Sequence, residues 1–314
     1  MMTMFYRKSL LRSTAVLAIV GATLLSGCAS KAPDNGSKDA EKNKPVVQED
    51  SQEKIMADFN DLLKSKPKAD AMIQFIDKNI ANLSKENASV MMMAFEEIQK
   101  SNLPALEEKY FNGETVQSRL AEIYMSGFDI TKFEDIQDEE LKGLLMETKD
   151  TGYKVETAEG TFFPIINYEF YKKFSGYVSE DIKDYIDIMA VESNNVPAKD
   201  AALVIGWDEI IERALTQEKF IKKYESAEKT GEVEKLYEKY VVFMLYGANN
   251  TPLFSYETKV MVPDAKAAYE NALKNEGDSE TMKMLGNYMD VLDKTDYKVS
   301  DEAEKFRKDA VERL

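Results

Sequence analysis

The hydrophobic and polar positions from residue 53 to residue 314 follow a helical period over most of this length. Apolar residues recur three and four positions apart, which is the spacing of helices that bury one face. Clear examples are the segments 55–63, 72–83 and 233–244. The turns between such segments are short, so consecutive helices are expected to run antiparallel. We therefore predict a mainly α fold, built as a multi-helix antiparallel bundle.

The period changes in the middle of the chain. Tyr153, Val155 and Thr157 alternate with polar residues, and residues 161–166 are mostly apolar or β-branched. The Ala-Glu-Gly sequence between these two stretches favours a turn. We predict one small β-hairpin near 152–166, and we expect it to pack on helices because an isolated hairpin is not stable. Pro164 restricts the second strand to an edge or ends it.

Three helix starts are predicted from local residue preferences. Pro197 suits the first position of a helix, and that helix would include Leu203. Thr131 and Glu134 have the spacing of a capping box. Ser300, followed by three acidic residues within its first turn, is expected to begin the last helix.

Residues 1–28 have the organisation of a bacterial export signal. Arg7, Lys8 and Arg12 give a positively charged beginning, and residues 13–25 are uncharged and mostly apolar. This apolar stretch is too short to cross a bilayer as a helix, which takes about twenty residues. It therefore indicates a secretory signal peptide rather than a membrane-spanning helix.

The stretch ends in the tetrapeptide Leu25-Ser26-Gly27-Cys28, which resembles the lipobox of bacterial lipoproteins. The resemblance implies that a diacylglycerol is attached to Cys28 through a thioether and that the chain is cut before this residue. Cys28 would then be the lipid anchor of a protein on the outer face of the cell membrane. The mature region loosely resembles uncharacterised helical lipoproteins of Gram-positive bacteria. That resemblance is marked by no motif and implies no activity.

The distribution of apolar residues predicts four segments. Residues 29–52 contain almost no large apolar side chain and include Pro33, Gly36 and Pro45, so this stretch is expected to be a flexible tether. The predicted order is a signal peptide (1–27), a tether (28–52), an N-terminal helical subdomain (53–150), and the hairpin with a C-terminal helical subdomain (151–314).

Composition and charge exclude several classes of function. The chain has 57 acidic and 41 basic residues, a formal charge of −16, which becomes −19 once residues 1–27 are removed. Nucleic acid and anionic headgroups repel such a surface, so we expect no nucleic-acid partner and membrane contact only through the lipid on Cys28. The chain has no histidine and a single cysteine. This excludes Ser-His-Asp catalysis, His or Cys zinc sites, disulfides and Fe–S clusters, and we predict no metal and no cofactor.

One short segment resembles an enzyme motif. Glu192 and Ser193, with Pro197 five residues after the glutamate, are similar to the Glu-Ser motif of soluble lytic transglycosylases, which cleave peptidoglycan. The resemblance implies that Glu192 is a general acid, a role that needs a carboxyl group able to keep its proton. The family's downstream Gly-Leu-Met-Gln segment is absent, since residues 202–207 read Ala-Leu-Val-Ile-Gly-Trp.

Residues 246–256 form a second candidate site. The segment carries aromatic rings, two adjacent amides and a proline, a composition typical of loops that bind a protein or a glycan. Together with the single tryptophan, the candidate binding residues are Trp207, Tyr246, Asn249, Asn250, Phe254 and Tyr256.

These observations lead to one expected function and two alternatives. We expect a membrane-anchored, extracytoplasmic lipoprotein that binds or scaffolds an envelope protein or a cell-wall component, without catalysis. One alternative is a lytic-transglycosylase-like hydrolase that uses Glu192. The other is a solute-binding receptor of a transporter, which normally has two α/β lobes; the helical periods argue against it.

Overall fold

The structure is a computed structural model that describes residues 49–112, 114–125, 133, 135–274 and 279–314. The described residues all belong to one compact unit. The predicted signal peptide, Cys28 and the capping spacing at Thr131 and Glu134 lie outside these ranges. The first helix of the described residues includes Glu49, so residues 49–52 of the segment 28–52, which was predicted to be a tether, are helical.

The described residues form twelve α-helices and three two-stranded antiparallel sheets, so the predicted mainly α fold with a small hairpin is confirmed. The first half contains α1 (Glu49–Lys64), α2 (Ala69–Asn79), α3 (Lys85–Phe111), α4 (Glu114–Met125), α5 (Glu139–Asp150), β1 (Tyr153–Ala158), β2 (Thr161–Ile166), α6 (Tyr168–Tyr171) and α7 (Glu180–Asn194). The second half contains β3 (Ala198–Lys199), β4 (Ala202–Leu203), α8 (Trp207–Lys223), α9 (Thr230–Tyr246), β5 (Gly247–Ala248), β6 (Thr251–Pro252), α10 (Pro263–Leu273), α11 (Glu280–Asp293) and α12 (Asp301–Glu312).

The predicted hairpin is β1–β2, and its turn explains its register. Glu159 and Gly160 have φ angles of 49° and 72°, the left-handed conformation that a two-residue hairpin turn of this twist requires. Val155 is paired with Pro164, so the proline lies within the second strand of a sheet that has only edges. The hairpin contacts α3, α4 and α5, as expected for a two-stranded sheet that needs support.

The prediction that a helix begins at Pro197 is wrong. Residues 195–206 are not helical; they contain the β3–β4 hairpin, and α8 begins ten residues later at Trp207. This hairpin is bonded to the β5–β6 hairpin: Leu203 N donates to Thr251 Oγ1 at 3.1 Å, and Asn250 N donates to Ala201 O at 2.8 Å. Contacts with a distant segment therefore satisfy backbone groups that a local helix would have satisfied.

The core consists of two clusters of buried apolar side chains. The first extends from Phe59 on α1 to Val233 on α9 and includes the β1–β2 hairpin, α6 and α7. The second extends from Trp207 on α8 to Ala303 on α12. Apolar packing in the first cluster continues across residue 150, where a subdomain boundary was predicted. Among the helices of the described ranges, none combines enough length with enough hydrophobicity to cross a membrane.

Glu218 connects α8 to the beginning of α11. Its carboxylate accepts hydrogen bonds from the backbone N–H groups of Glu280 (2.8 Å) and Thr281 (3.1 Å) and forms an ion pair with Lys222 (2.6 Å). The first N–H groups of a helix have no partner within the helix, so a carboxylate stabilises them. Burial acts to raise the pKa of Glu218, but the hydrogen bonds from Lys222, Thr281 and the backbone lower this pKa to about 2.

Replacing Glu218 with glutamine is expected to lower the free energy of unfolding at pH 7 by about 2–3 kcal/mol. Because the folded-state pKa is lowered, this contribution is present above the ordinary pKa near 4.5 and is lost as the pH falls towards 2. Urea unfolding curves between pH 7 and pH 3 measure it, and roughly half of the difference should have disappeared at pH 3. Glu238→Gln, at an exposed position on α9, should show neither effect. A difference between Glu218→Gln and the parent that does not depend on pH would contradict this account.

Candidate functional site

Helices α7 and α8 lie side by side in opposite directions, with a groove of about 760 Å³ between them. Their directions follow from two ion pairs, since Glu192 near the end of α7 meets Arg213 and Asp184 near its start meets Lys223 at the end of α8. The volume falls in the range of roughly 300–1,000 Å³ that is typical of ligand sites. The lining residues are Asp184, Asp187, Ile188, Val191, Glu192, Asp208, Glu209, Glu212, Arg213, Thr216, Gln217, Lys219, Phe220 and Lys223.

Arg213 lines this groove beside the end of α7. Its side chain is 5% exposed, and Nη1 donates to Glu192 Oε1 at 3.1 Å and to Tyr240 Oη at 2.8 Å. Nη2 donates to the carbonyl oxygen of Asn195 at 2.8 Å, and Nε donates to Glu209 Oε1 at 3.1 Å. Burial acts to lower the pKa of Arg213, but the hydrogen bond to Glu209 and the negative neighbours raise it above its usual value. The guanidinium is therefore a fixed positive charge that connects α7, α8 and α9.

Asp184 lines the groove near the beginning of α7. It accepts hydrogen bonds from Lys223 Nζ at 3.0 Å and from Tyr224 Oη at 2.7 Å. Although burial acts to raise the pKa of Asp184, these two hydrogen bonds lower it. From Asp184 to Glu192, α7 rises by about 12 Å. The two ion pairs are therefore about two helical turns apart along α7, and on α8 the groove continues past Arg213 to Asp208.

The floor of the groove is apolar except for one amide. Ile188 and Val191 of α7 and Phe220 of α8 supply the apolar surface. Gln217 is only 1% exposed, and its buried Oε1 accepts no hydrogen bond from any described residue. A buried acceptor without a partner destabilises the folded state by about 1–3 kcal/mol. The floor therefore holds a hydrogen-bond acceptor that the fold leaves unsatisfied.

The rim of the groove is acidic. Six carboxylates and three cationic side chains line it, which gives a formal charge of −3. Asp208 and Glu212 are exposed, and no salt bridge joins either of them to another described residue. Lys219 is the lining cation that forms no salt bridge within the described ranges. The unneutralised negative charge is therefore at the end of the groove near the beginning of α8.

Glu192 lies in this groove, but its carboxylate is already bonded. Oε1 accepts hydrogen bonds from Arg213 Nη1 and from the phenol of Tyr240. A general acid in glycoside hydrolysis must instead hold a proton and direct it at the glycosidic oxygen. In this arrangement Glu192 is the hydrogen-bond and ion-pair partner of Arg213.

The aromatic binding candidates are largely parts of the core. Trp207 begins α8 and packs edge-on against Tyr269, with ring centroids 6.1 Å apart. Phe254 is also buried in the second cluster, and Tyr246 is half-buried beneath the guanidinium of Arg307, 4.3 Å from its ring centroid. These rings stabilise the second cluster and leave little surface for a ligand.

The remaining candidates meet where the β3–β4 and β5–β6 hairpins join. Asn250 Nδ2 donates to Asp200 O at 2.7 Å, and Tyr256 Oη donates to Asn249 O at 2.9 Å. Tyr256 itself is 65% exposed. A Cβ at Gly247 would lie 2.3 Å from Thr251 O, so the second hairpin requires glycine at this position. The side-chain amide of Asn250 thus joins the two hairpins, and Tyr256 is the exposed ring beside the junction.

A second polar cluster is buried beneath α7. Glu96 of α3 is 2% exposed and forms an ion pair of 2.6 Å with Lys229, whose side chain is 5% exposed. Tyr168 and Tyr185 donate their hydroxyl groups to Glu96 Oε1 at 2.5 and 2.7 Å. Burial and the nearby carboxylate raise the pKa of both phenols, which therefore remain donors. Glu232, whose side chain is 39% exposed, lies 2.7 Å from Lys229 Nζ at the edge of this network.

Three carboxylates near this network are close enough to share a metal ion: Glu96, Glu97 and Glu232. Lys100 Nζ already lies 3.3 Å from both Glu96 and Glu232 and 2.9 Å from Glu97. Burial acts to lower the pKa of Lys100, but the hydrogen bond to Glu97 and the neighbouring charges raise it above its usual value. The ammonium group thus occupies the position that a cation would take.

Sequence analysis did not select Arg213 and Gln217, although the helical period contains a signal for both. They follow Ile210 and Ala214 at spacings of three, and residues at this spacing share one face of a helix. Polar residues on the apolar face of a helix are expected to have a partner or a ligand. No local pattern in the sequence indicates the distance between α7 and α8, which only the tertiary structure shows.

No family model, curated protein or solved structure matches this chain. The function therefore has to be inferred from the geometry of the groove and from the motifs of the sequence.

Proposed function

We propose that this protein is a lipid-anchored, extracytoplasmic binding protein of the cell envelope and that its partner binds in the groove between α7 and α8. The observation that carries the proposal is the groove itself. It joins an apolar floor, an unsatisfied buried acceptor at Gln217 and an acidic rim. Ligand sites typically combine apolar surface with a few fixed polar groups in this way.

The lipobox-like residues support the location. A diacylglycerol on Cys28 would supply two acyl chains, and each buried methylene contributes about 0.8 kcal/mol to membrane binding. The formal charge of −19 for residues 28–314 would repel anionic headgroups, so the lipid would have to provide the attachment. The described part of the chain, from residue 49 onwards, would then face partners in the envelope.

The two alternatives have less support. A hydrolase would need Glu192 to donate a proton, whereas this carboxylate is held by Arg213 and Tyr240. A transporter receptor would need two α/β lobes, whereas the sheets of the described residues are all two-stranded and antiparallel. A binding role requires only the surface of the groove.

Crosslinking from the groove tests this proposal. Val191 lies in the groove and is 45% exposed, so a photo-crosslinking amino acid at this position should reach a bound partner. In intact cells that produce the full chain, illumination is expected to give one discrete adduct with an envelope protein or cell-wall component. The matched control is Val90 of α3, which is 46% exposed and lies outside the groove.

Equal adducts from positions 191 and 90, or no adduct from position 191, would contradict the proposed binding site. Purified full chain incubated with peptidoglycan should release no muropeptides. Release that is abolished by Glu192→Gln would contradict the non-catalytic role and favour the hydrolase.

A further inference from the structure

We infer that the occupant of the groove between α7 and α8 is a short amphipathic helix of a partner protein, with lysine or arginine on its polar face. This inference rests on the proposed function and adds the chemical class of the partner. It is carried by the charge of the rim, the apolar floor, the unsatisfied acceptor and the length of the groove.

The charge of the rim selects a cationic ligand. Asp208 and Glu212 are one helical turn apart on α8, exposed and without a salt bridge to a described residue. Asp187 of α7 lines the groove further towards Asp184, and Lys183 partly neutralises it at 3.0 Å. Lys219 lies two to three turns further along α8. The cationic groups of the ligand therefore belong at the end of the groove near Asp208 and Glu212, away from Lys219.

The floor selects a ligand with an apolar face as well as charge. Ile188, Val191 and Phe220 line the groove; Ile188 and Phe220 are 7% and 3% exposed, whereas Val191 is 45% exposed. A helix with an apolar residue placed against Val191 would cover it, as in other helix-in-groove complexes. A small polycation such as spermidine would satisfy the rim and leave Val191 in contact with water.

Gln217 offers the ligand a polar contact. It lines the groove, and its Oε1 is buried without a partner among the described residues, so a ligand N–H donor would satisfy it once the side chain turns towards the groove. An amide or ammonium donor carried by the partner helix fits this acceptor. Binding would then also remove the destabilisation that the unsatisfied Gln217 acceptor causes in the free protein.

The length of the groove matches a short helix. The ion pairs Asp184–Lys223 and Glu192–Arg213 are about 12 Å apart along α7, which corresponds to about eight helical residues. Both pairs fix α7 against α8, so the groove is preformed. A ligand helix of about two to four turns would cover the groove, whose lining on α8 continues past Arg213 to Asp208.

The test uses the full chain purified from membranes in a non-ionic detergent and a fluorescent model peptide. The peptide has about fourteen residues, with leucine on one helical face and lysine on the other. Fluorescence anisotropy is expected to show saturable binding that weakens as salt is added. A peptide with glutamate in place of lysine, and a scrambled peptide of the same composition, should both bind much more weakly.

Variants of the chain locate the binding. Asp208→Asn with Glu212→Gln should weaken peptide binding roughly five- to tenfold, because two exposed charge interactions are lost. The matched control is Glu234→Gln with Glu238→Gln, two exposed carboxylates with the same spacing on α9, and it should leave the affinity unchanged. Gln217→Leu should weaken binding and raise the melting temperature by about 2–4 °C, because the unsatisfied acceptor is removed.

Several outcomes would overturn the inference. Equal weakening by the two pairs of charge variants would show that only the overall negative charge attracts the peptide. Equal binding of the scrambled peptide would exclude a helical ligand, and saturable binding of spermidine without peptide binding would assign the groove to a small polycation. Failure of the peptide to bind while position 191 still gives its adduct would reject this inference alone, whereas loss of the adduct would reject the proposed function.

Discussion

Replacing Lys229 with methionine is expected to lower the free energy of unfolding by about 3–5 kcal/mol. The substitution keeps much of the side-chain volume but removes the ammonium group that lies 2.6 Å from Glu96. Glu96 would then be a charged carboxylate, 2% exposed, without its closest cation. The free energy of unfolding of an ordinary domain is about 5–15 kcal/mol, so the variant would lose a large part of this free energy. Urea unfolding followed by circular dichroism measures the change.

The matched control for this prediction is Lys100→Met. Lys100 forms ion pairs with Glu96 and Glu232 as Lys229 does, but its side chain is 37% exposed. Its removal should lower the free energy of unfolding by at most about 1 kcal/mol, since exposed ion pairs contribute little. The double variant Glu96→Gln with Lys229→Met should be more stable than Lys229→Met alone, because no charge remains uncompensated. Similar losses from the two single lysine variants would show that burial does not govern the strength of this network.

Replacing Cys28 with alanine is expected to abolish acylation and to move the protein from the membrane fraction into soluble extracts. The thiol of Cys28 is the only one in the chain, so no other cysteine can accept the diacylglycerol. Without two acyl chains, the negatively charged chain has no interaction that would hold it to an anionic membrane. Incorporation of a labelled fatty acid and partitioning between detergent and water measure the two effects.

Ser30→Ala is the control for this experiment, since it lies just beyond the lipobox-like residues and should leave both labelling and partitioning unchanged. Mass spectrometry of the native protein should find an acylated cysteine at its amino terminus. An unacylated chain that keeps residues 1–27, or a Cys28→Ala variant that remains in the membrane fraction, would show that the lipid is not the anchor.

The predicted elements that proved correct depend on neighbouring residues. The β1–β2 hairpin follows from alternation and from a turn in which Glu159 and Gly160 adopt left-handed conformations. The last helix begins after Ser300, whose hydroxyl accepts a hydrogen bond from Ala303 N at 3.2 Å, as its position predicted. Helix caps, turns and the spacing of apolar residues depend on residues that are close together in the chain. A single sequence is therefore enough to predict them.

The segment from 195 to 206 shows where local reasoning failed. Leu203 and Trp207 are four residues apart, which is compatible with a helix, but such a short pattern is ambiguous. The backbone bonds that decide its structure come from Asn250 and Thr251, about fifty residues later. No preference of the residues near Pro197 indicates that these partners will be available.

The sequence by itself determined the helical class, the position of the main hairpin and the acidic surface, because each depends on residue type or on spacing along one element. Only the tertiary structure decided that Glu192 is bonded to Arg213, that Trp207 and Phe254 are buried, and that Gln217 lies in a groove without a partner. These features depend on which helices pack together and how far apart they lie. Packing brings together residues that are distant along the chain. The local spacing of hydrophobic and polar residues does not indicate which of these distant residues will be in contact.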